Sequence, residues 1–91
     1  MELKWTSKAL SDLARLYDFL ALASKPAAAR TVQSLTQAPV ILLTHPRMGE
    51  QLFQFEPREV RRIYAGEYEI RYELTGQTIY VLRLWHTREN R

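Results

Sequence analysis

Residues 79–85 constrain this chain most. Ile79, Tyr80, Val81, Leu82, Leu84 and Trp85 follow one another with only Arg83 between them, so the segment is apolar on both faces. A strand of that kind has to be covered on both sides and reads as a central strand. The residues before it tell a complementary story. Over residues 67–74, Tyr68, Ile70, Tyr72 and Leu74 alternate with Glu67, Glu69, Arg71 and Glu73, the period of a strand with one buried face. Thr75-Gly76-Gln77 turns between the two, and a further strand over residues 60–64 is separated from residue 67 by the compact turn Ala65-Gly66. The C-terminal third is therefore a sheet.

The N-terminal half has a different period. Leu3 and Trp5 alternate with Glu2 and Lys4, a short strand with one buried face. Thr6 or Ser7 can then cap a helix in which Leu10, Leu13, Ala14, Tyr17, Leu20 and Ala21 form one apolar stripe. Ser24-Lys25-Pro26 breaks this helix and restarts another, proline being tolerated in a first turn. The second helix is expected from about residue 27 towards residue 43, through Val32, Leu35, Ile41 and Leu42, with a kink at Pro39. Joined by a short turn, the two form an antiparallel hairpin. Thr44-His45-Pro46-Arg47-Met48-Gly49 is a loop, and Phe53 and Phe55 are expected in a short edge strand ended by Pro57. The order is β-α-α-β-β-β, an α+β fold with an antiparallel sheet and the helical hairpin on one face. Residues 1–91 make a single domain with no internal repeat or linker.

Charge narrows the chemistry. The net charge is +3, but residues 1–45 hold five basic and three acidic side chains and residues 46–91 eight and seven. That spread lacks the basic block typical of phosphate binding. Ten of the thirteen cations are arginine, whose weakly hydrated planar fork suits carboxylate or phosphate at interfaces; this points to an acidic partner without saying which. Without cysteine, and with two histidines, neither a disulfide framework nor a metal-ligand spacing exists, and no metal or cofactor is expected. The first residues lack a basic region followed by an apolar run, and no stretch approaches the roughly 20 apolar residues of a membrane span. A cytoplasmic protein without membrane contact is expected.

The series made by the strand, the helical hairpin, His45-Pro46-Arg47-Met48-Gly49, Val60-Arg61-Arg62, Tyr68-Glu69-Ile70-Arg71-Tyr72 and Leu84-Trp85-His86-Thr87-Arg88-Glu89 resembles the RelE/ParE toxin superfamily over essentially the whole chain. The resemblance implies the toxin of a bacterial type II toxin–antitoxin module. A small, acidic cognate antitoxin with a DNA-binding N-terminal part would neutralise it, and operator DNA would be reached only through that antitoxin. RelE-like members cleave mRNA in the ribosome, whereas ParE-like members poison DNA gyrase.

The residues favour the ParE-like branch. RNA cleavage needs a base, an acid and stabilisation of the phosphorane charge. RelE-type enzymes usually place an arginine after the tyrosine of the middle sheet strand, where this chain has Glu69 after Tyr68. The tyrosine they often carry near the C-terminus has no counterpart through Arg91. Glu67, Glu69 and Glu73 would repel a phosphate, and Arg62, expected opposite Glu69 across a two-residue hairpin, would be spent neutralising it. A nuclease would have to work with His86, Arg88, Arg61 and Arg62. His86 is of the residue type that can move protons, but it reads better as a strand-end residue bonded to its neighbours, and His45 as a turn residue.

The leading expectation is thus a non-enzymatic inhibitor of DNA gyrase acting by protein–protein contact. The alternatives are a ribosome-dependent mRNA interferase and an inactive relic that binds antitoxin and co-represses its operon. Target contact is expected from Arg61, Arg62, Trp85, His86, Arg88 and Arg91, though both tryptophans read more readily as core. Phe19, which falls opposite Leu10, Tyr17 and Ala21 on the first helix, should be exposed. Together with Leu16 and Arg15 it is a candidate for antitoxin contact, unless the second helix or the chain terminus covers it.

Overall fold

A computed structural model describes residues 1–89. Strand β1 (Glu2–Trp5) leads into α1 (Ser7–Ala21) and α2 (Lys25–Gln37), which a 3₁₀ helix extends over Ala38–Leu43. Strand β2 (Glu50–Gln51), a 3₁₀ turn at Phe53–Phe55, β3 (Val60–Ala65), β4 (Tyr68–Thr75) and β5 (Thr78–His86) complete the chain order. The sheet runs β1-β5-β4-β3-β2. From β2 to β5 it is antiparallel as expected. The first strand joins it in parallel, Leu3 beside Ile79 and Trp5 beside Val81, so the five-stranded sheet is mixed. This pairing gives β5 a hydrogen-bonded neighbour on each side along Thr78–Val81 and makes it a central strand there.

Local chemistry sets the helix ends. Thr6 is the N-cap of α1, its Oγ1 accepting from the Ala9 N–H at 3.1 Å. The same hydroxyl lies 3.0 and 3.1 Å from the Val81 and Leu82 carbonyls, to which it donates, so the cap also fixes the helix start against β5. Ser24 caps α2 by accepting from Ala27 N–H, and Pro26 sits in the first turn. Pro39 does not kink a continuous α-helix. Instead α2 ends at Gln37, and the chain tightens to 3₁₀ geometry through a buried Pro39 that has no N–H to continue the α ladder.

Two expectations fail in instructive ways. Phe53 and Phe55 lie in the 3₁₀ turn, and the edge strand is Glu50–Gln51, opposite Arg62 and Arg61. The side chains there match cation to acceptor: Glu50 takes a bond from Arg62 at 3.0 Å, and Gln51 one from Arg61 at 3.4 Å. The buried face of α1 is also rotated from the stripe read in the sequence. Ala9, Asp12 and Leu16 are buried, whereas Leu10 and Ala14 are exposed.

The core fills the space between helices and sheet. Ala9, Leu16, Leu35, Ile70, Val81 and Leu84 form one cluster, and Leu42, Tyr72, Leu74 and Ile79 a second. Tyr72 is fully buried but fully bonded. Its hydroxyl donates to the Pro46 carbonyl at 2.7 Å and accepts from Gly49 N–H at 3.1 Å, pinning the His45–Gly49 loop to the sheet. Burial pushes its phenol pKa up, against a downward pull from the Gly49 bond and the Arg61 charge. Gly49 is required by contact, since a Cβ there would lie 2.7 Å from the Arg62 carbonyl oxygen and 2.6 Å from the Tyr72 hydroxyl. Replacing Tyr72 by Phe leaves a buried donor and acceptor unpaired, and denaturant unfolding should register a loss of about 1–3 kcal/mol. An unchanged midpoint would show that the loop is held by something else.

Candidate functional site

A groove of about 590 Å³ lies between α1 and the end of β5, lined by Arg15, Leu16, Phe19, Leu20, Tyr68, His86, Arg88 and Glu89. Its position follows from how the sheet meets the first helix. Past Val81, β1 has ended, and α1 takes over the outer edge of β5. Asp12 accepts from the Leu84 N–H at 3.1 Å and from Arg83 at 2.7 and 3.1 Å in a bidentate pair. Burial of the Asp12 carboxyl opposes its ionisation. The Arg83 and Leu84 hydrogen bonds and the Arg83 and Arg15 charges outweigh that, holding its pKa below the ordinary value of 3.8.

Apolar side chains make the groove wall. Leu16 belongs to the core, so this candidate contact residue is a buried lining residue rather than a surface one. Phe19 is 69% exposed and the neighbouring Leu22 86%; neither α2 nor the described end of the chain covers them. On the far wall Tyr68 meets His86 edge-on, with ring centroids 5.2 Å apart. Burial pushes the Tyr68 phenol pKa up, and the Glu67 and Glu89 charges add to it.

The turn after β5 closes the groove through its own bonds. His86 Nδ1 accepts from the Arg88 N–H at 3.0 Å, and Glu89 Oε1 accepts from the His86 N–H at 3.1 Å. Thr87 N–H donates to the Glu67 carbonyl, and Glu67 stands 3.7 Å from His86 Nε2. Arg15 bridges Asp12 at 3.6 Å and Glu89 at 3.4 Å, tying helix to turn. His86 is thus a strand-end residue bonded to its neighbours, with Arg88 beside it.

The remaining candidates lie elsewhere. Register puts Ile63 and Ile70 on the core side, so Arg62 and its partner Arg71 are on the sheet face turned away from the helices. Glu69 stands opposite Tyr64 and Trp85, not opposite Arg62 as expected, because the β3–β4 register pairs Arg62 with Arg71. Its carboxylate is 6% exposed and shared, with Arg71 at 2.9 Å and Arg62 at 3.6 Å. Glu73 is likewise matched, by a bidentate hydrogen bond from Arg58 that lowers its pKa. The expected carboxylate row is therefore a neutralised ladder. Trp85 is buried on this same face with the Arg71 guanidinium 4.7 Å over its ring, away from Trp5 and the helices.

Arg61 points the other way. Its side chain is committed to Glu59 at 2.9 Å and to the Gly49 carbonyl at 2.7 Å. It shares a row with Tyr72 and Val81, while His86 shares one with Tyr68 and Ala65. Four residues separate these rows, about 13 Å along the strands, and two strand spacings add about 10 Å sideways. Arg91 lies outside the described residues. Among those described, no group of three His, Cys, Asp or Glu residues could hold a metal ion, and no helix is long and apolar enough to cross a membrane.

Asp12 was invisible to the periodicity reading because an acidic residue was assigned to the solvent side. A signal existed: Arg83 is a lone charge in an otherwise apolar run and calls for a carboxylate partner. Asp12→Ala should cost about 2 kcal/mol in equilibrium unfolding, leaving the Leu84 N–H without its acceptor. The pH dependence has a definite sign. Asp12 is more acidic folded than unfolded, so its stabilisation is complete above its ordinary pKa near 3.8 and lost as pH falls through the lower folded value. Asp12→Asn should flatten the decline of stability below about pH 4, and an unaltered acid limb would contradict this role.

A family model described as the ParE toxin of the type II toxin–antitoxin system parDE matches residues 3–91. A solved structure of the chromosomal ParDE TA system from P. aeruginosa contains a chain 27% identical to this one. The two superpose with a TM-score of 0.79 over 94% of this chain and 95% of that one. A search of curated proteins finds no match.

Proposed function

The chain belongs to the ParE toxin family of type II toxin–antitoxin systems, and we propose that it acts without catalysis, inhibiting DNA gyrase by protein–protein contact until a cognate antitoxin covers it. One observation carries the non-enzymatic reading. The four residues a ribonuclease would have to use do not converge: His86 and Arg88 border the groove, Arg62 is paired with Glu50 and Glu69 on the opposite face, and Arg61 is locked at the other end of the sheet. General acid–base catalysis needs its groups within hydrogen-bond reach of one reacting phosphate, and the separation of Arg61 and Arg62 from His86 and Arg88 supports the non-enzymatic reading.

The same geometry redraws the contact surfaces. Arg61 and Trp85 are buried or internally committed, so target contact falls to the C-terminal turn around Arg88, with Arg62 available only at the cost of its carboxylate partners. Antitoxin contact is assigned to the groove, where Phe19 and Leu22 form an uncovered apolar patch above Leu16 and Leu20, and where Arg15, His86 and Arg88 favour an acidic partner. The antitoxin is expected to be small, with a DNA-binding N-terminal part that alone reaches operator DNA. Residues 1–91 act as one toxin domain.

Purified gyrase provides the test of the target. Excess folded toxin should block supercoiling of relaxed plasmid; full gyrase activity, or cleavage of A-site codons in toeprinting on translating ribosomes, would overturn the reading. For the groove, Phe19→Ser should leave the fold intact and weaken antitoxin binding by about tenfold or more, as loss of an aromatic anchor does. Unchanged affinity would remove the groove from the antitoxin interface.

A further inference from the structure

Resting on the antitoxin reading of the groove, we infer that Glu89 is an internal surrogate for a carboxylate of the antitoxin. It occupies Arg15 in the free toxin and is displaced when an acidic antitoxin segment docks. Three observations carry this. Arg15, Arg88 and His86 stand around an apolar groove in which Glu89 is the sole carboxylate among the described lining residues. Glu89 already shows what chemistry Arg15 accepts, a carboxylate oxygen 3.4 Å from its guanidinium. That contact is loose and wet, the two side chains being 51% and 29% exposed, so a partner's carboxylate can replace it at little cost.

Displacement has a structural consequence. The same Glu89 carboxylate accepts from the His86 N–H through Oε1 while Oε2 faces Arg15. Its carboxylate therefore staples the residue 86–89 turn to α1. A segment that takes Arg15 removes the end of the staple that sits on α1, while the turn keeps its Arg88-to-His86, Thr87-to-Glu67 and Glu89-to-His86 backbone bonds. The turn carries Arg88, to which target contact is assigned. Docking at Arg15 thus frees the C-terminal turn from α1, and one event joins the groove to the turn that carries Arg88. The segment that fits presents an apolar side chain between Phe19 and Tyr68 and an Asp or Glu directed at Arg15.

The competition is measurable by titrating the full toxin with the purified product of the adjacent reading frame. Glu89→Gln keeps an acceptor for the His86 N–H but removes the charge that competes for Arg15. It should tighten binding about three- to fivefold, the scale of an exposed ion pair, and the gain should shrink as salt screens the charges. Arg15→Gln should weaken binding, and in the double variant the Glu89→Gln gain should vanish. Weaker or unchanged binding by Glu89→Gln, with the Phe19→Ser effect intact, would overturn the surrogate role while leaving the groove as the antitoxin site. No binding by the unaltered toxin would overturn both.

Discussion

The bond between Asp12 and the Leu84 N–H, reinforced by Arg83, is the constraint on which the rest of the molecule depends. A parallel strand of four residues covers only the first part of β5's outer edge. Beyond Val81 the edge would present bare backbone donors and acceptors, a liability in any sheet. Thr6 takes the Val81 and Leu82 carbonyls and Asp12 takes the Leu84 N–H, so α1 acts as the missing continuation of β1. Fixing the helix at these points directs its later turns across the end of β5, and the wedge of space between them is the groove. The groove and the fold are consequences of one edge-capping solution.

The pairing also explains why charge is distributed as it is. Arg83 is the one interruption of an otherwise apolar strand, and a cation there would be costly without a carboxylate brought to it. Most arginines whose surroundings are described show the same economy: Arg58 with Glu73, Arg47 and Arg61 with Glu59, Arg71 and Arg62 with Glu69. The arginine excess therefore serves the sheet first. Arg88, at the C-terminal turn, stands outside these pairs and lines the groove. On the face carrying Glu69, Arg62 and Arg71 are held in carboxylate pairs and present no bare row of cations.

How much of this was legible in the sequence depended on the kind of signal. The alternation of Tyr68, Ile70, Tyr72 and Leu74 and the double-sided run from Ile79 place β4 and β5 correctly, because each states a burial pattern directly. Thr6, Ser24 and Pro26 mark helix starts through local chemistry. The exposure of Phe19 followed from helical geometry alone. Features built on distant partners did not show. The parallel β1–β5 pairing, the true edge strand at Glu50–Gln51 and the inward commitment of Arg61 all rest on contacts between residues far apart in sequence. Leu16 and Asp12 went astray together, since placing the charge outside rotated the whole helix face. The candidate nuclease set was named by residue type, and only the register reveals that its members occupy different faces and ends of the sheet.

The central claim is that the toxin works by contact and not by cutting RNA. Its most direct measurement follows plasmid topology and messenger integrity in the same cells after the toxin is induced without antitoxin. The account predicts that plasmid supercoiling is lost while transcripts remain uncut within their reading frames. Codon-spaced cleavage of messages with supercoiling preserved would contradict it.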